Sequence, residues 1–216
     1  TDYKKKFSQR YYNIGIKKNF FSSQNKEYVK KFIEIEKKND SQIIELHNRP
    51  IYLRYLVNDL KKKNYILYFH NDPLSMKGSI SIKERENLLK ITDKIVFISK
   101  WVKKQFFEGL EQNDSDKAEI IYHSISKQKK FFKKEKFITF VGKLNYSKGY
   151  DIFRDALTNI LNEYNDWKAF SIGDESRERP IFNHPRHFEL GFLTHKKVLN
   201  FLNKSEIAVV PSRWEE

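Results

Sequence analysis

The run Phe140-Val141-Gly142-Lys143-Leu144, then Ser147-Lys148-Gly149 opening onto Tyr150, decides how this chain folds. The apolar residues up to Val141 read as a buried strand that Gly142 ends. Beyond Tyr150, the residues Ile152, Phe153, Ala156, Leu157, Ile160 and Leu161 share one helical face, which predicts a helix to Tyr164. A strand, a turn with glycines and a helix start make an anion site by ordinary physics. Amides of the first turn and the helix dipole face the loop, and glycine lets a phosphate approach the backbone closely. Lys143 and Lys148 add positive charge. A plain strand–helix turn with surface lysines is the competing reading of this segment taken alone.

Working outward, the same alternation continues on both sides. Trp167 to Ile172 reads as a strand, His187 to Leu190 as another, His195 to Asn203 as a helix and Ile207 to Val210 as a strand. Toward the N-terminus, strands are predicted at Gln42 to Leu46, Tyr65 to Phe69, Lys94 to Ile98 and Glu119 to Tyr122. Tyr65 to Phe69 is nearly all apolar, as for a strand buried on both faces. Helices are predicted from Pro50 to about Lys63, from Ser81 to Ile91, and from an N-cap at Ser99 through Leu110. Lys127, Lys129, Lys130, Lys133, Lys134 and Lys136 crowd a stretch with little apolar period. The expected organisation is an α/β unit over 1–126, a basic linker over 127–136 and a second α/β unit over 137–216. Each has a parallel sheet with helices on both faces.

Composition bounds the chemistry. The 216 residues contain no cysteine, which excludes disulfides, thiolate metal sites and cysteine nucleophiles. A reducing, cytoplasmic setting fits. Hydrophobic residues make up 39%, enough for a core, and no apolar run approaches a membrane-spanning length. The net charge of +14 favours anionic partners without choosing among nucleic acid, anionic membrane and phosphorylated substrates. A solvated lysine-rich surface accounts for it equally well. The chain starts at Thr1 and stops at Trp214-Glu215-Glu216, straight after a strand-like run; both ends read as cuts in a longer protein.

Candidate site residues sit where predicted strands end, the edge at which open α/β sheets bind ligands. His47 follows the first strand. His70-Asn71-Asp72 follows the second. Asp72 has no acidic partner at metal-ligand spacing, so no metal site is expected. Ser99 reads as a helix cap.

The ordered series Gly142-Lys143-Leu144, Lys148-Gly149, Ser171-Ile172-Gly173-Asp174, Leu190-Gly191-Phe192-Leu193 and Pro211-Ser212-Arg213-Trp214-Glu215-Glu216 resembles the donor-binding domain of family 4 glycosyltransferases of the GT-B fold. The resemblance covers residues 137–216. It implies two Rossmann-like domains facing across a cleft, both incomplete here. It further implies metal-independent, retaining transfer of a sugar from a nucleotide-diphosphate sugar to an acceptor. By family analogy the acceptor is a cell-surface glycan or a lipid-linked precursor, as in cell-envelope polysaccharide synthesis.

On the same resemblance, Gly142, Lys143 and Lys148 bind the donor phosphates, and Gly173 and Glu215 the donor sugar or nucleotide. Glu216 begins the family's acidic pair, with Glu215 the alternative register. His70 looks like the histidine near the reacting sugar; His47 and Asn71 fall on the acceptor side. The family's usual Arg is Lys143 here, which keeps the charge and loses the bidentate fork. No cofactor and no metal are implied. The partners are the donor and the acceptor, with peripheral contact to the anionic inner membrane face and no nucleic acid. With half of the donor site absent, this fragment is expected to be inactive. Two other readings stay open. One is a non-catalytic basic protein binding nucleic acid or membrane; the other is a different sugar-phosphate enzyme of the same fold.

Overall fold

The structure, a computed structural model, describes residues 23–125, 132–174 and 182–213. It divides into two compact units, one reaching Ser124 and the other starting at Ile125.

The first unit runs α1 (Gln24–Asn39), β1 (Ile43–His47), α2 (Pro50–Asp59), β2 (Asn64–Phe69), a 3-10 turn (Pro73–Ser75), α3 (Ile82–Ile91), β3 (Lys94–Phe97), α4 (Lys100–Phe107) and β4 (Ala118–Ile120). All its strands are parallel, in the order β1-β2-β3-β4. Each crossover steps the same way across the sheet, so right-handed connections lay the helices on one face. Burial follows this. Leu46, Tyr65, Leu67, Phe69, Ile95 and Phe97 are buried with Leu53, Leu56, Leu88, Val102 and Phe106 of the helices. On the other face Ile43, Glu45 and His47 are exposed, and Ile66 and Tyr68 are half-buried. The expectation of helices on both faces, with β2 buried on both sides, is therefore corrected for this unit: among the described residues the helices lie on one face, and the other is only partly buried, at Val96 beside Tyr68.

Local chemistry sets the boundaries. Ser81 and Glu84 form a reciprocal capping box at the start of α3, and Ser99 caps α4 by accepting from the Val102 amide at 3.1 Å. Helix α2 stops at Asp59, short of the expected Lys63. The Leu60 carbonyl accepts the Tyr65 hydroxyl at 2.9 Å, and Lys62 turns left-handed at φ 74°. Helix α1 was not expected. It is largely lysine and glutamate and buries only Val29, Ile33 and Glu36. The spacing of those three residues and the Ser23 cap were its only signals.

The second unit runs β5 (Glu135–Val141), α5 (Tyr150–Glu163), β6 (Lys168–Ile172), β7 (His187–Glu189), α6 (His195–Lys204) and β8 (Ser205–Val209). The sheet is again parallel, in the order β7-β6-β5-β8. Here both faces are covered. Phe153, Leu157 and Leu161 of α5 pack with Ile138, Phe140 and Ala169. In the other pleat row Phe170 meets Phe137, Phe188 and Phe201 of α6, with ring centroids 4.7, 5.4 and 5.2 Å apart. Strand β5 begins at Glu135, inside the stretch expected as linker. Glu135 pairs with Ser205, and Lys134 donates to the Ser205 carbonyl at 2.9 Å. Buried polar groups tie strand to strand: Thr139 Oγ1 to Ser205 Oγ at 2.6 Å, Ser171 Oγ to His187 Nε2 at 2.8 Å.

The order β7-β6-β5-β8 makes a switch point. The chain leaves β5 toward β6, then returns over the sheet to place β8 on the far side of β5. In open parallel sheets that is where a crevice forms, beyond the strands' carboxyl ends. The backbone approaches itself closely there. Gly149 has φ 68°, and a Cβ on it would lie 2.0 Å from the Pro211 carbonyl oxygen. Gly191 has nearly the same φ, 65°, with open space around the same position. Gly191→Ala should therefore cost only the left-handed conformation, about 1–2 kcal/mol. Gly149→Ala adds a backbone collision and should cost roughly 3 kcal/mol or more. Denaturant unfolding of the two variants measures the difference; equal losses would show that the Gly149–Pro211 contact imposes nothing.

Candidate functional site

Two sets of strand ends carry the chemistry, one in each unit. In the second, the loop between β5 and α5 is built by its own hydrogen bonds. Asn145 organises it. Its side-chain oxygen accepts from the Lys148 amide at 3.1 Å and the Ser147 hydroxyl at 3.0 Å, and its carbonyl accepts from the Tyr150 amide at 3.1 Å. The Gly149 amide donates to Tyr146 at 3.0 Å. The Phe153 amide donates to the Gly149 carbonyl at 3.0 Å, and the Asp151 carboxylate stands in the first turn of α5.

Arg213 completes that arrangement. Its guanidinium forks onto Asp151 at 2.8 and 2.7 Å, donates to the Tyr146 carbonyl at 2.5 Å, and lies 3.5 Å over the Tyr146 ring. Its amide donates to Ser147 at 3.0 Å. The residues following β8 are thus clasped to the β5–α5 loop. The Arg213 hydrogen bonds hold the Asp151 carboxyl below its ordinary range and raise the guanidinium. Lys143 and Lys148 are the loop's other cationic side chains. Lys143 is exposed and Lys148 half-buried. A Cβ placed on Gly142 would sit 3.9 Å from the Lys148 Cβ, so the lysine stem runs beside the glycine.

Gly173 ends β6 at φ 140°; a Cβ there would lie 1.8 Å from the Gly142 carbonyl oxygen. Its amide donates to Gly191 at 2.9 Å, so three strand-end glycines stand side by side across β5, β6 and β7. Tyr150, fully buried at the start of α5, donates its hydroxyl to Glu189 at 2.6 Å. The structure thus brings Gly142, Lys148 and Gly173 together, with Lys143 next in the loop. Glu215 and Glu216 lie outside the described residues, as do Lys127, Lys129 and Lys130 of the basic stretch.

In the first unit, the ends of β1, β2 and β4 present a row of histidines. His47 Nδ1 lies 2.8 Å from His70 Nε2, and His70 Nδ1 lies 3.2 Å from His123 Nε2. The rings stack, with centroids 5.1 and 5.2 Å apart, and Tyr68 stacks on His47 at 4.5 Å. Asn48, held at φ 53°, accepts from the His70 amide at 2.7 Å and donates its side-chain amide to Asn71, locking the two loops together. Burial first, then the flanking histidines His47 and His123, holds His70 below the ordinary histidine pKa. Among the described residues no group of His, Asp or Glu is arranged to hold a metal ion. The histidines hand nitrogens to one another rather than converging on one point. Asp72 caps the 3-10 turn, accepting from the Leu74 amide at 2.9 Å.

Sequence reasoning missed His123, Asn48, Asp151 and Arg213. His123 could have been found by the rule that picked out His47 and His70, since it too stands just past a strand. No helix among the described residues is long and apolar enough to cross a membrane.

With this geometry in hand, residues 122–216 match the family described as glycosyl transferases group 1. Among solved structures the chain is similar to TarM from S. aureus, with a TM-score of 0.63 and 14% identity, covering 88% of this chain and 41% of that one. It is also similar to Anabaena HepE in complex with UDP-glucose, with a TM-score of 0.62 and 12% identity over 88% of this chain and 58% of that one. The catalytic domain of starch synthase IV from Arabidopsis thaliana, bound to ADP and acarbose, gives 0.59 and 11%, covering 91% of this chain and 58% of that one. These likenesses identify the fold as GT-B, an α/β class. The chain spans between 41% and 58% of the length of these structures. No curated protein matches it.

His70 has a depressed pKa in the folded protein, so its neutral form favours folding. That stability is present above 6.5, the ordinary histidine value, and is lost as pH falls through the folded value. His187, buried against Ser171 and likewise depressed chiefly by burial, acts in the same direction in the second unit. Denaturant midpoints should fall on acidification from about 7.5 to about 5.5, and His70→Gln should reduce the slope in the first unit. A midpoint that rises toward acid would contradict the assignment.

Proposed function

We propose, from the match of residues 122–216 to the group 1 glycosyl transferases, that this chain is part of a retaining transferase acting without a metal ion. It moves a sugar from a nucleotide-diphosphate sugar to a hydroxyl of a cell-surface glycan or lipid-linked acceptor. The observation that carries the reading is the loop at the switch point. Gly142 and Lys148 stand side by side in that loop with Lys143 between them in sequence, and Arg213 clasps it through Asp151.

Transfer of this type is governed by how well the departing diphosphate is stabilised, since negative charge builds on it as the sugar leaves. Lys143 and Lys148 meet that charge, in the role a metal ion has in other transferases. The clasp holds the loop in one shape, so little reorganisation is needed when the donor binds. Gly173, beside Gly142, leaves room for the nucleotide or sugar to lie against the strand ends. Glu215 and Glu216 are assigned to the donor sugar and ribose by the family pattern alone. In the first unit, His47, His70 and Asn71 serve the acceptor. The relatives lend support: HepE was solved with UDP-glucose and starch synthase IV with ADP and acarbose. The net charge of +14 suits peripheral contact with the anionic cytoplasmic membrane face, where a lipid-linked acceptor would be found.

The lysines separate a built phosphate site from a diffuse basic surface. A charge-assisted hydrogen bond to phosphate is worth roughly 1.5–3 kcal/mol. Lys143→Ala and Lys148→Ala should each weaken nucleoside-diphosphate binding by about one to two orders of magnitude. Lys133→Ala, outside the loop, should leave it nearly unchanged, and a chelator should have no effect. Lys143→Arg restores the fork and should bind at least as tightly. Calorimetry at fixed salt measures all of these; equal small losses for Lys133 and Lys148 would reduce the site to general electrostatics.

A further inference from the structure

The two sides of helix α4 are built for different surroundings. On the inner side Val102, Phe106 and Phe107 are buried in the core of the first unit. The outer side carries Lys100, Trp101 and Lys104, all exposed, and Trp101 leaves 44% of its surface to solvent. Helix stability does not require this arrangement. The positive end of a helix dipole favours acids, and α1, α3 and α5 place Glu27, Glu84 and Asp151 there. The first turn of α4 holds no acid and opens on Lys100.

The charge on that side is not neutralised. Lys103 is engaged within the fold: its Nζ lies 2.7 Å from Asp114 and donates to the Ala118 carbonyl at 3.1 Å. Lys100 and Lys104 have no ion-pair partner among the described residues. Glu108 stands at the C-cap, the far end of the helix, and Glu119 pairs with Lys94 at 2.5 Å. Between α4 and the end of β4 lies an open hollow of about 560 Å³, with Lys100, Lys103, Lys104, Phe107 and Ile120 in its wall. Two ammonium groups therefore border a hollow with apolar side chains in it, and an indole follows Lys100 in the same turn.

One partner uses all of these groups. A diffuse lysine-rich surface needs no exposed indole, and a soluble phosphate would engage the ammonium groups and leave Trp101 in water. An anionic bilayer engages both. Lysines extend to the headgroup phosphates, and an indole settles at the boundary between headgroups and acyl chains. We infer that the outer side of α4 docks the first unit on an anionic lipid bilayer, with Trp101 inserted and Lys100 and Lys104 on the headgroups. The inference rests on the membrane contact in the proposed function and gives that contact a place. Helix α4 starts where β3 ends, at the sheet edge that also carries His47 and His70. Docking there turns the edge proposed for the acceptor toward the membrane.

The test follows Trp101. The sequence has three tryptophans, so Trp167→Phe with Trp214→Phe leaves it as the single indole. Vesicles of equimolar phosphatidylcholine and phosphatidylglycerol should shift its emission to the blue, and lipids brominated on the acyl chain should quench it. Phosphatidylcholine alone should do neither. Sedimentation with the same vesicles gives the affinity. Lys100→Gln with Lys104→Gln should weaken it about twenty-five-fold, about fivefold for each lysine at an anionic surface. Trp101→Ala should weaken it about tenfold. Lys196→Gln with Lys197→Gln, on α6, removes the same charge and should leave binding nearly unchanged. Equal losses from the two lysine pairs, or a Trp101 emission that stays put on bound vesicles, overturns the docking face. Binding of inorganic phosphate at Lys100 and Lys104 without vesicle binding overturns it in favour of a soluble ligand. An enzyme that transfers sugar to a water-soluble acceptor yet ignores vesicles refutes the docking face and leaves the transferase reading intact. Vesicle binding through Trp101 without any transfer supports the docking face and counts against the transferase reading.

Discussion

The second unit depends on one constraint: β5 lies between the strand that follows it and a strand that arrives from the end of the described chain. Parallel pairing with β6 on one side and β8 on the other puts three carboxyl ends side by side, and the reversal of direction between them leaves a crevice. Everything assigned to the donor hangs on that placement. The β5–α5 loop is one wall because the chain must climb from β5 onto α5. The residues after β8 are the other because the parallel register delivers them beside Gly149. Only a residue without a Cβ fits there, 2.0 Å from where the Pro211 carbonyl would meet one.

A helix start with glycine as its N-cap is an obvious place for a phosphate, and here it also carries the Asp151 carboxylate, forked by Arg213. Under the proposed function, Lys143 and Lys148 are set apart from the many other lysines by standing at the only switch point of the second sheet among the described residues. In the first unit the logic is different. Among the described residues, its strand ends carry imidazoles hydrogen-bonded to one another.

Much of this was legible in the sequence. Parallel α/β units follow from short apolar strands alternating with amphipathic helices, and the β5–α5 loop was recognisable from Gly142, Lys148 and Gly149. What was not legible has physical causes. Helix α1 hides because its buried stripe is only Val29, Ile33 and Glu36 in a charged background. The start of β5 at Glu135 hides because an edge partner, Ser205, extends pairing into a lysine-rich stretch that has no apolar period. The one-sided burial of the first sheet depends on strand order, which local pattern does not contain. The clasp of Arg213 on Asp151 joins positions 62 residues apart, and no local spacing could reveal it. His123 was in plain view, but a lone histidine gains meaning only when the sheet sets it beside His70.

The central claim is that a nucleoside diphosphate seats on the β5–α5 loop of the second unit. The direct measurement is titration of the isotopically labelled chain with UDP, ADP and GDP in turn, following backbone amide shifts. The account predicts saturable changes concentrated on Gly142 to Gly149, Gly173 and Pro211 to Arg213, with the phosphorus resonances of the diphosphate shifting in parallel and no requirement for magnesium. Small, non-saturating changes spread over lysines throughout both units, with the loop amides no more affected than the rest, would contradict it.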